Sequence, residues 1–302
     1  MTVRVALLAA AFVALAWPAM ARESLTVCLQ ANDPPLSTRG GEGFAVALSR
    51  KIAERLGRDL RVQWFVSRDD PDANLAKDAD ALLSDGHCQL VSEYPLVSDM
   101  LGRPYATTAK LPPFDGATPE DRRRWIKLGE LVATRPYRLD TLTVILAAKD
   151  ANRPIRTLAD LDGMKLGVQT ATLADAIAMR YAGGRLIENV VHLPDARALF
   201  GRLQRGELDA AFVAQRELDA WRKRHGTDGL APTGYVHSIG FNMGYVGLAS
   251  EQKLIDDATA AITALQASDA IAPLARAAGL TYVPPREPGV QAAVRPNALA
   301  GD

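Results

Sequence analysis

Apolar positions along the chain recur with two different periods. Residues 25–29 form a short apolar run of the kind that makes a buried strand, and Phe44, Leu48, Ile52 and Leu56 then follow at helical spacing, stopped by Gly57. A second strand is expected over 61–65, a helix over 75–83 and a strand over 88–92. This alternation predicts a parallel sheet with helices on its faces. Residues 93–132 are less regular, with Pro95, Pro104, Pro112, Pro113, Gly102 and Gly116 and a basic helical segment expected over 121–127. The alternation restarts at Leu142, with strands over 144–147, 165–169, 190–191 and 208–213 and helices over 157–161, 172–181 and 195–205. That is a second α/β module of about a hundred residues. A strand over 245–249 and two amphipathic helices over 251–266 and 268–278 follow, the second interrupted by Pro273. Residues 282–302, rich in Pro, Ala and Gly, are expected to be disordered.

Charge and cysteine usage narrow the class. Residues 1–21 read as a single positive charge (Arg4), an apolar stretch and a small-residue ending, the three parts of a cleavable signal peptide. The apolar stretch falls short of the roughly 20 residues a membrane span needs. An exported, periplasmic protein without a membrane anchor is therefore expected, with about 280 residues left for two compact domains. The full chain has 35 basic and 35 acidic residues. Such a balance gives no electrostatic reason to expect nucleic acid as a partner. The two cysteines, Cys28 and Cys88, would lie in an oxidising compartment, so a disulfide is the first reading and two buried thiols the alternative.

Candidate chemistry is sparse. In the segment 157–172 a short helix, a turn and a strand lead to Thr170, Ala171 and Thr172 at the start of the next helix. Free N–H groups and hydroxyls at such a start suit an anionic ligand group, and Thr172 is equally an ordinary N-cap. Asp70, Asp72 and Asn74 begin like a calcium loop but lack its glycine and its last acid. His87, His192, His225 and His237 have no metal-ligand spacing, and no nucleophile–base motif occurs. No metal and no enzymatic activity are expected.

In this order, several pieces resemble the family 3 extracellular solute-binding proteins of ABC transporters. They are residues 25–29, Gly43 and Phe44 opening a helix that ends at Gly57, the run Thr134, Arg135, Pro136 and Tyr137, the segment 160–172, residues 203–210, and the final strand with its two helices. The resemblance implies a two-lobed (type II, Venus flytrap) α/β fold with two parallel-sheet lobes joined by two hinge strands. One lobe would comprise 22–137 plus 241–281 and the other 138–240, with crossings near 137–140 and 239–244. The ligand would sit in the cleft at the carboxyl ends of the strands.

A narrower resemblance, carried by Val27, Cys28, Asn32, Pro35, Ser37, the run 41–44, Ile52, Ala53, the run 56–58 and Cys88, is to solute-binding-like proteins associated with quinoprotein alcohol or methanol dehydrogenases. It implies pyrroloquinoline quinone as a ligand, or docking on a periplasmic dehydrogenase. The family's carboxylate positions fall on Gln30 and Ala214 here, which argues against an amino acid as the solute. The expected ligand contacts are Gln30, Asp33, Tyr94, Arg135, Thr170, Thr172 and Gln215, around a small anionic solute. The expected partner is an inner-membrane ABC permease or a quinoprotein dehydrogenase, and the expected state a monomer. The longer segment between Gly86 and Arg135 reads as a solvated surface, or as a docking face or extra wall. A dehydratase-like enzyme, with Glu93 as its acid, is the third reading.

Overall fold

The computed structural model describes residues 22–67, 75–226 and 228–301, so the expected signal segment and the Asp70–Asp72–Asn74 run lie outside the described residues. The chain begins with β1 (Ser24–Gln30), whose alternate and then consecutive burial is that of a strand covered on both faces. Two short strands, β2 (Asn32–Asp33) and β3 (Ser37–Thr38), pair in the loop before α1 (Phe44–Arg55). Gly43 opens that helix with φ +120°, and a Cβ there would stand 2.2 Å from the Leu36 carbonyl oxygen, so only glycine lets the loop pass this closely. Next come β4 (Asp59–Phe65), α2 (Leu75–Ser84) and β5 (Leu90–Pro95), with β4 and β5 on either side of β1 and parallel to it. Cys28 on β1 and Cys88, just before β5, are joined in a disulfide.

The 93–132 segment folds as a hairpin of β6 (Thr108–Lys110) and β7 (Trp125–Lys127), followed by β8 (Leu131–Ala133). The basic helix expected over 121–127 is replaced by a turn and a strand. Asp121 bonds the Thr118 backbone and hydroxyl, while Ile126 turns inward beside Ala109 into the core around α2. The exposed face of the hairpin carries Lys110 over the Trp125 ring.

From β9 (Arg138–Ala147) the second half is built: β10 (Leu166–Gln169), α3 (Leu173–Arg180), β11 (Val190–Leu193), α4 (Ala196–Gln204), β12 (Ala210–Ala214) and α5 (Gln215–His225). The long β13 (Leu230–Leu248) then returns, followed by α6 (Gln252–Ala267) and α7 (Ile271–Ala278). Pro273 sits in the first turn of α7, where its missing N–H costs no helical bond. The main sheet runs β11-β10-β12-β9-β13-β5-β1-β4, with β8 paired to the end of β13. β13 is the shared element: from Leu230 to Met243 it pairs with β9, and from Met243 onward with β5 and β8. Separate apolar cores lie on the two faces of each half of the sheet.

The end of the chain is bonded rather than disordered. Asn242, wholly buried on β13, donates its amide to the carbonyls of Arg286, Pro288 and Gly289 and accepts from the Arg286 N–H. Gln291 pairs with the Leu96 backbone and with Asn242 and Gly240, and Leu299 reaches the core beside α3. A tail rich in Pro, Ala and Gly is thus held by polar groups of the strand it crosses and by Leu299.

Candidate functional site

The parallel strands of both halves deliver their carboxyl ends to one cleft. Asp33 follows β1, Glu93 lies in the second half of β5, Arg138 and Asp140 open β9, and Arg216 and Glu217 begin α5 directly after β12. A cavity of about 270 Å³ is lined by Leu29, Gln30, Asp33, Leu36, Ser37, Leu75, Ser92, Glu93, Pro95, Arg138, Asp140, Arg216, Phe241 and Met243. A smaller one of about 120 Å³ adjoins it, sharing Asp140, Arg216 and Phe241 and reaching Gln169, Thr172 and Ala214.

The walls are tied by a buried charge network. Arg138, 3% exposed, donates to Glu93 from Nε (2.8 Å) and from Nη2, and from Nη1 to Asp140 (2.9 Å). Glu93 is held at φ +57°, an uncommon conformation for a residue with a Cβ. Its own N–H donates to the Tyr137 hydroxyl (2.8 Å), and that hydroxyl donates back to Glu93 Oε1 (3.0 Å). Burial pushes the Glu93 carboxyl above the ordinary value, and Arg138 draws it part of the way back. Asp140 would also be raised by burial, but Arg138 and Arg216 hold it below the ordinary value. Burial works against the Arg216 charge, and Asp33, Asp140 and Glu217 outweigh it, so the guanidinium is protonated more firmly than usual. Glu217 is raised by burial against the pull of Arg216.

The structure brings some of the expected contacts together and places others elsewhere. Gln30 and Asp33 line the larger cavity, Gln30 with its amide bonded to the Ser67 hydroxyl and N–H. Thr172 lines the smaller one, but its hydroxyl accepts from the Asp175 N–H and donates to the Gln169 carbonyl. Asp175 in turn takes the Ala171 N–H, so a carboxylate of the chain itself occupies the helix start that had suggested an anionic ligand. Thr170 is exposed and bonds the Leu193 carbonyl. Gln215 turns to Asp219 and Thr281. Tyr94 is fully buried in the core around α2, its hydroxyl donated to the Met100 carbonyl, because its side chain leaves β5 on the face opposite the cleft. Arg135 is exposed on a different depression beside Gln266 and Tyr282.

Sequence reasoning missed Arg138, Asp140, Arg216 and Glu217 and placed Glu93 in the cleft only as the acid of an enzyme. One signal was present: Arg138 and Asp140 stand two apart, hence on one face, at the start of an otherwise apolar strand and at the crossing between halves.

No protein-family model matches the chain, and no curated protein matches it. Among solved structures it is similar to a histidine kinase sensor domain with similarity to periplasmic binding proteins, at 17% identity over 88% of this chain and 99% of that one, TM-score 0.55. It is also similar to the VFT2 domain of Bordetella pertussis BvgS, at 14% identity over 84% and 92%, TM-score 0.57. A third is an amino acid ABC transporter substrate-binding protein from Streptococcus pneumoniae bound to L-arginine, at 17% identity over 86% and 95%, TM-score 0.51. At these identities the likeness is one of fold. The chain has the two-lobed periplasmic binding protein fold.

Proposed function

We propose that this chain is an exported solute-binding protein that captures a small polar solute between its two halves and presents it to an inner-membrane importer. The observation that carries the reading is the cavity at the strand carboxyl ends, walled by groups from both halves and by the two strands that join them. Solutes bind at that position in open α/β sheets, and a fold in two halves can close on them. No helix among the described residues is long and apolar enough to cross a membrane, and the expected signal segment supports export.

The charge of the cleft argues against the expected anion. Asp33, Glu93, Asp140 and Glu217 face only Arg138 and Arg216 among the residues lining the two cavities. A tricarboxylate such as pyrroloquinoline quinone would add charge of the sign already in excess, and both arginines are committed to carboxylates. A solute with a positively charged group complements this lining. Calorimetric titration of the mature protein with a panel of cationic, zwitterionic and anionic solutes, the quinone included, tests the reading. One-to-one binding by a positively charged solute is expected, with a rise in melting temperature. Binding by none of the panel refutes capture, and tight binding of the quinone alone refutes the charge argument.

A second reading, docking on a larger periplasmic protein such as a quinoprotein dehydrogenase, is favoured by the outer face of the β6–β7 hairpin. There Trp125 is 64% exposed and flanked by Lys110 and Lys127. Co-purification with the dehydrogenase, lost on Trp125→Glu, would establish it.

A further inference from the structure

Asp33 belongs to the half built on β1, and Arg216 to the half built on β12. Their contact, Nη1 to Oδ1 at 3.1 Å, therefore joins the halves across the cleft. The same guanidinium lies 2.9 Å from Glu217 Oε1 and 3.5 Å from Asp140 Oδ2. One cation thus answers three carboxylates, while Arg138 is taken up by Glu93 and Asp140. Arg216 also belongs to the walls of both cavities, so its side chain stands between the larger and the smaller compartment. Three carboxylates already arranged around one guanidinium are the complement of another guanidinium or of an ammonium group.

We propose that Arg216 is the specificity-determining residue of the cleft, an internal cation bridging the two halves with which the cationic end of a solute exchanges. The inference rests on the solute-capture reading and names what selects the solute. An arginine 31% exposed at a helix start has solvent to swing into, and its departure joins the two compartments. Half-buried carboxylates left without a partner are costly, so Arg216 leaves readily only when a guanidinium or ammonium group takes its place between Asp33 and Glu217. A neutral solute cannot make that replacement, and an anionic one adds to the imbalance. Selection for a cation follows from exchange at constant charge.

Arg216→Ala in the mature chain tests this, with methylguanidinium chloride as the probe and sodium chloride at equal ionic strength as the control. The variant is expected to bind methylguanidinium saturably, roughly tenfold or more tighter than the wild type does, because the internal competitor is gone. Adding Asp33→Asn to it should abolish the gain. Cationic solutes of the panel should gain similarly, and neutral ones should not. A folded variant that gains no more from methylguanidinium than from sodium overturns the proposal. Asp33→Asn alone keeps the other contacts of Arg216 and covers the case in which Arg216→Ala does not fold. It should raise the radius of gyration in small-angle scattering, and an unchanged radius overturns the bridge. The two readings fail separately. Methylguanidinium binding by the variant without solute capture by the wild type removes the capture reading and leaves Arg216 only as the bridge between the halves, and capture without that binding removes the exchange.

Discussion

Replacing Arg138 by Met removes the cation from the most buried part of the cleft while keeping much of the side-chain volume. Glu93 is 9% exposed and loses its strongest partner, and Asp140 loses one of two. Breaking one side of a buried ion pair costs about 3–5 kcal/mol, because the remaining charge stays desolvated. A chain of this length loses about 2–3 °C of melting temperature per kcal/mol, so a fall of roughly 6–15 °C is expected in scanning calorimetry. Glu93→Gln should cost less, about 1–3 kcal/mol, since Arg138 keeps Asp140. The double variant should recover about 1–3 kcal/mol relative to the sum of the singles.

The pH dependence has a definite sign. A carboxyl raised in the folded state, as Glu93 is by burial, contributes stability present below the unfolded value of 4.5 and lost as pH rises through the folded value. Removing Arg138 raises it further. Asp140, held below 3.8, contributes stability above that value and loses part of it with Arg138. Both effects make the cost of Arg138→Met smallest in acid and largest at neutral pH. A cost under about 1 kcal/mol at pH 7, or one independent of pH, would refute the network as described.

The Cys28→Ala/Cys88→Ala double variant opens a closure spanning 60 residues, which is worth about 4 kcal/mol in the chain-entropy account. Its melting temperature should fall by roughly 8–12 °C, and a fall under about 2 °C would show the bond to be unimportant for stability. Thr172→Ala should cost about 1 kcal/mol as a lost helix cap and leave solute affinity within roughly twofold. A loss of tenfold or more in titration would mean that the hydroxyl touches solute after all. Asn242→Ala leaves the carbonyls of Arg286, Pro288 and Gly289 without their donor, at a cost of about 2–4 kcal/mol, and amide exchange over 283–291 should quicken. Unchanged exchange there would mean that other contacts hold the tail.

What could be read before the structure, and what could not, divides along physical lines. β1, β10 and β12 are covered on both faces and read as apolar runs, and α1 and α4 bury a broad stripe at helical spacing. α5 escaped notice because only Leu218, Asp219, Ala220 and Trp221 are buried in an otherwise charged sequence, too narrow a stripe to stand out. The first half of β13 escaped because it is half-exposed and carries Pro232, Gly234 and Gly240. The site failed for a different reason. Periodicity shows where the chain is apolar, but a charge is buried only if its partner arrives, and here the partners are remote in sequence. Glu93 and Arg138 are 45 positions apart, Asp33 and Arg216 183. They meet only because β13 continues one half of the sheet into the other, so the sign of the cleft belongs to the topology and to no single segment. The anion expected at Thr172 is the converse case. Asp175, three positions on, supplies the carboxylate, and a Thr followed at that spacing by an acid is a local capping pattern. A helix start that carries its own acid has already met its demand for negative charge, and the deciding residue was legible from the start.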